Sequence, residues 1–379
     1  MAAKKKLRPA VRRAATPRPG PLDRCVNVAD LEALARERLP RAAYDYYAGG
    51  AGDERTVTHN GAAFDRYVFL PRVLAGVGEI ATATTLLGSP VTLPIALAPT
   101  AFHRLAHRDG ECATARAAHA AGTLMTVSTM ATVPLEEVAA ATDGPKWFQL
   151  YVYRDRSLTE RLVARAEAAG YRALVLTVDT PRLGCRERDA RNRFQLPRGM
   201  PLANFAAEGG TLSSWDAHGS MAAYANAQID PSLTWVSIEW LRRVTSLPIV
   251  LKGVMHRDDA TRGVEAGAAA IWVSNHGGRQ LDSEQATLLA LPAVARAVGD
   301  HAEVYVDGGI RRGTDVLKAL ALGARAAFIG RPQLWGLAAG GEAGVARALE
   351  MLRAELETTM AIAGVKDVTR VDPALVIEG

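Results

Sequence analysis

After Pro90 the chain alternates between two patterns. Short runs of consecutive Val, Ile, Leu and Ala are separated by longer Ala-, Arg- and Glu-rich segments in which apolar residues recur every three or four positions. The first pattern suits strands buried on both faces, and the second suits helices that cover them. The apolar runs lie at 93–98, 124–128, 147–152, 173–179, 249–253, 270–275, 303–308 and 326–331, with helices expected between them at 110–121, 157–169, 258–266, 284–298 and 314–322. Eight such units predict an α/β fold of the TIM (β/α)8 barrel type over residues 90–379, in preference to a doubly wound sheet. The fourth and fifth runs are about 70 residues apart. A connection of that length, Gly/Ala/Ser-rich and weakly patterned over about 195–230, reads as a lid loop. Residues 23–89 begin with a helical period at Leu31, Leu34, Ala35 and Leu39 and read as an N-terminal helical subdomain.

Composition narrows the class without naming a function. The chain has 379 residues, 49% of them hydrophobic, and is neither fibrous nor disordered in its overall balance. Its net charge of +5 is local: residues 1–22 carry seven Lys/Arg and no acid, leaving 38 basic against 40 acidic side chains elsewhere. With four prolines and no apolar core, this tail reads as a disordered, solvated extension rather than a signal peptide or a nucleic-acid-binding arm. No apolar run is long enough to span a membrane. Cys25, Cys112 and Cys185 are too few and too scattered for a disulfide framework or a metal site, which favours a reducing, cytoplasmic setting and no bound metal.

The chemistry gathers where a barrel keeps its active site, at the C-terminal ends of the strands. Gln149 and Tyr151 end the third run, Thr177 and Asp179 the fourth, Lys252 the fifth, Ser274, Asn275 and His276 the sixth, and Asp307 the seventh. Any one of these could be a helix cap; the whole set is hard to explain that way. The loops Asp307-Gly308-Gly309-Ile310-Arg311-Arg312-Gly313 and Gly330-Arg331-Pro332 offer backbone amides and guanidinium groups to an anion, at the position where barrels commonly hold phosphate. In the string from Ser274 to Asp282, His276 can move protons near neutral pH and Arg279 can clamp a carboxylate. Asp179 is suited to orient that imidazole.

These residues closely resemble the FMN-dependent (S)-2-hydroxy acid oxidases and dehydrogenases, from about Val28 to the end. The resemblance is carried by Tyr44-Asp45-Tyr46-Tyr47, Ala98-Pro99-Thr100-Ala101, Phe148-Gln149-Leu150-Tyr151, Thr177-Val178-Asp179-Thr180-Pro181-Arg182, Leu251-Lys252-Gly253, the Ser274 to Asp282 string and the two glycine loops. It implies FMN as cofactor, its phosphate on the amides near Gly309, Gly330 and Arg331 with Arg311 also reaching it, and Asp307 on the ribityl chain. The ring would lie against Pro99, Thr100 and Ala101, with Ser128, Gln149 and Thr177 on its polar edge, and Lys252 and Ser274 belong to the same cofactor set. Arg186, Arg279 and Tyr46 would hold the substrate carboxylate and Tyr151 the hydroxyl or keto oxygen. His276 would be the base, taking either the hydroxyl proton or the α-proton, with Asp179 stabilising its imidazolium.

Three departures from the family stand out. Met130 stands where glycolate oxidase has a tryptophan, leaving room for a lactate, longer aliphatic or mandelate-like side chain. Phe102-His103 replace the more usual pair after Pro-Thr-Ala, and Cys185 replaces an arginine. The small, polar fourth loop and Ala101 favour oxygen as acceptor, with hydrogen peroxide as product, over a quinone- or dye-reducing dehydrogenase. An FMN-dependent isomerase or a non-catalytic flavin barrel would not need His276, Arg279 and Arg186 together. The family further implies a homotetramer or octamer.

Overall fold

The computed structural model describes residues 20–208 and 219–379. Most of the expected basic tail, and residues 209–218 of the expected lid, lie outside the described residues. All eight apolar runs form strands: β1 (Ile95–Leu97), β2 (Met125–Val127), β3 (Lys146–Leu150), β4 (Leu174–Thr177), β5 (Ile249–Val254), β6 (Ala270–Val273), β7 (Glu303–Val306) and β8 (Ala326–Ile329). They pair in parallel in chain order, and β8 closes the barrel on β1 with Ala327 opposite Ile95. Most strands end earlier than expected, because the polar residues at their C-terminal ends leave the ladder to face the mouth.

The expected helices form with small shifts at their ends. Asp155 caps the helix Arg156–Ala168 by accepting from the Ser157 and Leu158 N–H groups. The helix expected from 284 begins later, at Thr287–Val298, because Glu284 is held in a loop by its N–H bond to Thr56 Oγ1 (3.0 Å).

Inside the barrel, Trp147, Trp272, Tyr305 and Phe328 come from four strands and are all but inaccessible. Their rings touch, with centroids 3.9 Å apart for Trp272 and Phe328 and 5.4 Å for Trp147 and Tyr305. Ala96, Val175, Val250 and Ala326 fill the spaces between, so large and small side chains alternate around the interior. Leu86 and Val91, from a small hairpin of strands Thr84–Leu86 and Ser89–Val91, join the same cluster. The Lys252 ammonium lies 5.4 Å from the Trp272 ring and marks the change from apolar plug to polar mouth.

Before the barrel the chain forms helices Val28–Arg38, Arg41–Ala48 and Arg55–Ala62. The first packs on the long final segment Arg331–Ala363, which kinks at Gly340 and Gly341. Strand Tyr67–Phe69 pairs antiparallel with the chain's last strand, Val376–Glu378. The fourth connection differs from the expected loop: around the undescribed residues it forms short helices, at Glu187–Arg191, Ala203–Glu208 and Met221–Gln228. Ser220 caps the last of these through the Ala223 N–H, and Asp230 N–H donates to Val152 O (2.9 Å), anchoring the helix end beside β3. No described helix is long and apolar enough to cross a membrane.

Candidate active site

At the C-terminal ends of the strands lies a cleft of ≈ 1170 Å³ including its open mouth. Of the strand-end residues and the proposed cofactor and substrate residues, all line it except Asp179, Ser274 and Asn275, which stand directly behind lining residues.

Asp179 receives the ring of His276, with Nδ1 3.0 Å from Oδ1 and 3.2 Å from Oδ2. The carboxylate is shaped for this. Burial alone would raise its pKa, but the imidazole, the Lys252 ammonium and the Thr180 hydroxyl outweigh burial and hold it below the ordinary value. An ionised Asp179 can only accept, so Nδ1 carries the proton and Nε2 is the basic lone pair. Burial lowers the His276 pKa, Lys252 and Arg186 add to that, and Asp179 opposes it. The residue itself sits at φ +57°, a left-handed conformation that a non-glycine residue adopts at a cost. Its N–H donates to Ser274 Oγ (3.1 Å), which fixes the turn.

Ser274 Oγ also donates to Asp307 Oδ1 (2.7 Å) and accepts from Lys252 Nζ (2.8 Å), while Lys252 lies 3.2 Å from Asp307 Oδ2. The sequence expectation placed Ser274 on the cofactor. In the structure its hydroxyl is the hub that aims Lys252, Asp307 and His276. Lys252 is aimed by a second device, a bulge in β5 between Lys252 and Val254. Gly253 occupies that bulge at φ +105°, and a Cβ there would come within 2.6 Å of the Asp179 side chain, so the position demands glycine.

On β3, Gln149 is fixed at both ends of its amide. Oε1 accepts from Ser128 Oγ (3.3 Å) and Thr129 N–H (3.1 Å), and Nε2 donates to Thr177 Oγ1 (3.0 Å). One polar wall is thereby built from three strand ends.

The opposite side is strongly cationic. Arg279 donates to the Tyr46 and Gly49 carbonyls (both 2.7 Å) and stacks over the Tyr46 ring at 5.0 Å. Arg331 donates to the carbonyls of Tyr47, Gly277 and Gly49. Burial, and then the neighbouring Arg186, lower Arg279 to about 10; burial, and then Arg279 and Arg311, lower Arg331 to about 9. Partly buried guanidinium groups that crowd one another this way are a site waiting for anions. The Gly308-Gly309 turn, at φ +97° and +87°, brings backbone up to the same region, and a Cβ on Gly309 would collide with Asn60 O at 2.1 Å. Asn60 and Asn275 exchange reciprocal amide hydrogen bonds (2.9 Å each), locking the N-terminal helices to the His276 loop. A paired cation–acid hub, a polar wall and a buried anion site in one cleft fit a phosphorylated, ring-bearing cofactor such as FMN. Among the described residues no group of three or more His, Cys, Asp or Glu side chains could hold a metal ion.

Sequence reasoning missed one wall. Met221, Ala225 and Ile229 line the cleft from the helix after the undescribed segment. Their spacing of four is the signal that could have found them. Met130 and Leu183 face the same space.

The family model for "FMN-dependent dehydrogenase" matches residues 35–378. Among curated relatives, glycolate oxidase 3 of Arabidopsis thaliana is 53% identical over 347 residues, covering 91% of this chain and 94% of that protein. Glycolate oxidase of Spinacia oleracea is 51% identical over the same shares. A crystal structure of mandelate oxidase with (S)-4-hydroxymandelic acid superposes with a TM-score of 0.89 at 44% identity, covering 94% of this chain and 99% of that one. Mandelate oxidase with benzoyl-formic acid gives a TM-score of 0.84, also at 44% identity, over 92% and 97% of the two chains. The chain belongs to the FMN-dependent dehydrogenase family, the FMN-dependent 2-hydroxy acid oxidases, and its cofactor is FMN.

Proposed function

We propose that this enzyme oxidises (S)-2-hydroxy acids with apolar side chains larger than that of glycolate to 2-oxo acids, passing the electrons to oxygen and forming hydrogen peroxide. The observation that carries the reading is the His276–Asp179 pair opening on the same cleft as Arg279, Arg186 and Tyr151. Bound FMN supplies a two-electron acceptor at the strand ends.

The amides of Gly309, Gly330 and Arg331, with Arg311, would hold its phosphate, and Asp307 its ribityl chain. Pro99, Thr100 and Ala101 would support one face of the ring. Ser128, Gln149 and Thr177 would pair with its polar edge, and Lys252, aimed by Ser274, would place a positive charge where the ring becomes electron-rich. Arg279 and Arg186 hold the substrate carboxylate beside Tyr46. Tyr151, whose pKa burial raises, keeps its proton and donates it to the hydroxyl or keto oxygen as a hydrogen bond. His276 Nε2 takes up the proton lost as the alcohol becomes a ketone, and the ionised Asp179 stabilises the resulting imidazolium.

The wall of Met130, Leu183, Met221, Ala225 and Ile229 supports an apolar substrate side chain, because two thioethers and small aliphatic groups offer adaptable surface without hydrogen-bonding demands. Unpaired Cys25, Cys112 and Cys185 support a reducing, cytoplasmic setting. The test is oxygen uptake and peroxide release over a chain-length series of (S)-2-hydroxy acids. Turnover should rise from glycolate to longer aliphatic or aromatic acids with one peroxide formed per oxygen consumed. Best turnover on glycolate would refute the side-chain assignment, and turnover only with an added quinone or dye would refute the oxidase assignment.

A further inference from the structure

His103 follows the Pro99-Thr100-Ala101 segment, is fully buried, and takes no part in the chemistry above. Its hydrogen bonds form a chain that ends at the cleft. Nδ1 lies 3.0 Å from Thr114 Oγ1, and Nε2 lies 2.6 Å from Thr100 Oγ1. Gln333 donates from Nε2 to Thr100 Oγ1 (3.1 Å) and to the Ala98 carbonyl (2.7 Å).

Proton accounting fixes the direction of the chain. The Ala98 carbonyl can only accept, so the Gln333 amide nitrogen faces it, and Thr100 Oγ1 receives one N–H from that same nitrogen. Among the described residues the only hydrogen-bond partner of the buried Thr114 hydroxyl is His103 Nδ1, so the hydroxyl proton goes there. Burial keeps the imidazole neutral despite the nearby Glu111 carboxylate. With Nδ1 accepting, a neutral ring carries its proton on Nε2 and donates it to Thr100. Both lone pairs of Thr100 Oγ1 are then filled from behind, and its own proton has one direction left, into the cleft that Thr100 lines. Glu111 keeps the ring in place by accepting the His103 backbone N–H (3.1 Å) while also accepting from Thr132 N–H (2.8 Å), which ties the loops after β1 and β2 together.

We propose that Thr114, His103 and Gln333 are positioning residues that hold the Thr100 hydroxyl as a preset hydrogen-bond donor to the bound flavin. A donor fixed before reduction stabilises the electron-rich reduced ring at no reorganisation cost, so the network raises the reduction potential of the bound cofactor. This rests on FMN occupying the cleft as proposed above.

Two measurements on the FMN-loaded full chain test it. In ¹⁵N-histidine-labelled protein, the resonances absent from His103→Gln belong to His103, and the protonated nitrogen should be Nε2. A proton on Nδ1 would overturn the proposal while leaving the hydroxy acid reading intact. In redox titrations, Thr100→Val and His103→Leu should both shift the flavin midpoint to more negative potential, with Thr100→Ser near wild type. Should His103→Leu fail to fold, Thr114→Val takes its place with the same expected direction. Unchanged midpoints in Thr100→Val and in the His103 or Thr114 variant would overturn the proposal, and a chain that binds no FMN at all would overturn both readings.

Discussion

The two ends of this barrel are built on opposite principles. At the bottom, Trp147, Trp272, Tyr305 and Phe328 pack ring on ring among alanines and valines, and burial of apolar area is the dominant stabilising effect. At the mouth, Lys252 and Asp307 are buried and His276, Asp179, Arg279 and Arg331 are partly withdrawn from water, which costs stability unless each charge is compensated. Compensation there is thorough: Ser274 serves three partners, the Gln149 amide three, and Arg331 three carbonyls. The left-handed φ of His276 also lies at this end. The fold is held from below so that the mouth can be strained, cationic and ready for anions.

The comparison predicts separable effects. The largest belongs to the mouth: His276→Ala should retain bound FMN yet slow substrate-driven flavin reduction by about 10²–10⁴-fold, the usual worth of a positioned base. Rapid-mixing absorbance checks it, and reduction at the wild-type rate would remove His276 from the mechanism. At the bottom, Trp147→Ala should lower the unfolding free energy by about 3–5 kcal/mol while kcat of the folded enzyme stays near wild type; denaturant melts paired with assays decide it. A large drop in kcat with unchanged stability would erase the division between the two ends.

Smaller effects sharpen the mouth itself. Met130→Trp should narrow the apolar wall and disfavour long substrates relative to glycolate by about 1–3 kcal/mol in kcat/KM. The pH profile follows from the direction of the His276 shift. His276 must be neutral to accept a proton, and its pKa lies below the ordinary 6.5, so the acid limb of kcat/KM should fall below pH 6.5. Asp179→Asn removes the group that opposes that shift; the limb should move further down while kcat falls. Movement of the limb upward would show that Asp179 acts on His276 in the opposite sense.

Much of this was legible in the sequence because a parallel barrel writes its strands as apolar runs and leaves polar residues where each run stops. Gln149, Thr177, Lys252, His276 and Asp307 stand out for that reason alone. What escaped depends on partners far apart in the chain or on weak patterns. The Ser274 hydroxyl is buried, and its role as a hub needs Lys252 and Asp307 in space. The Arg331 side chain is taken up by carbonyls of Tyr47 and Gly49, nearly 300 positions away in sequence. The pairing of Tyr67–Phe69 with Val376–Glu378 joins segments about 300 residues apart through three-residue strands too short to show alternation. The Met221, Ala225, Ile229 stripe lies in an Ala-rich stretch where apolar and polar positions contrast little.

The most direct test of the central claim is anaerobic mixing of the FMN-loaded enzyme with a panel of (S)-2-hydroxy acids before any acceptor is present. The account predicts that the oxidised flavin band bleaches with at least one acid bearing an apolar side chain, stoichiometrically with 2-oxo acid formed. A flavin that stays oxidised with every member of the panel would contradict it.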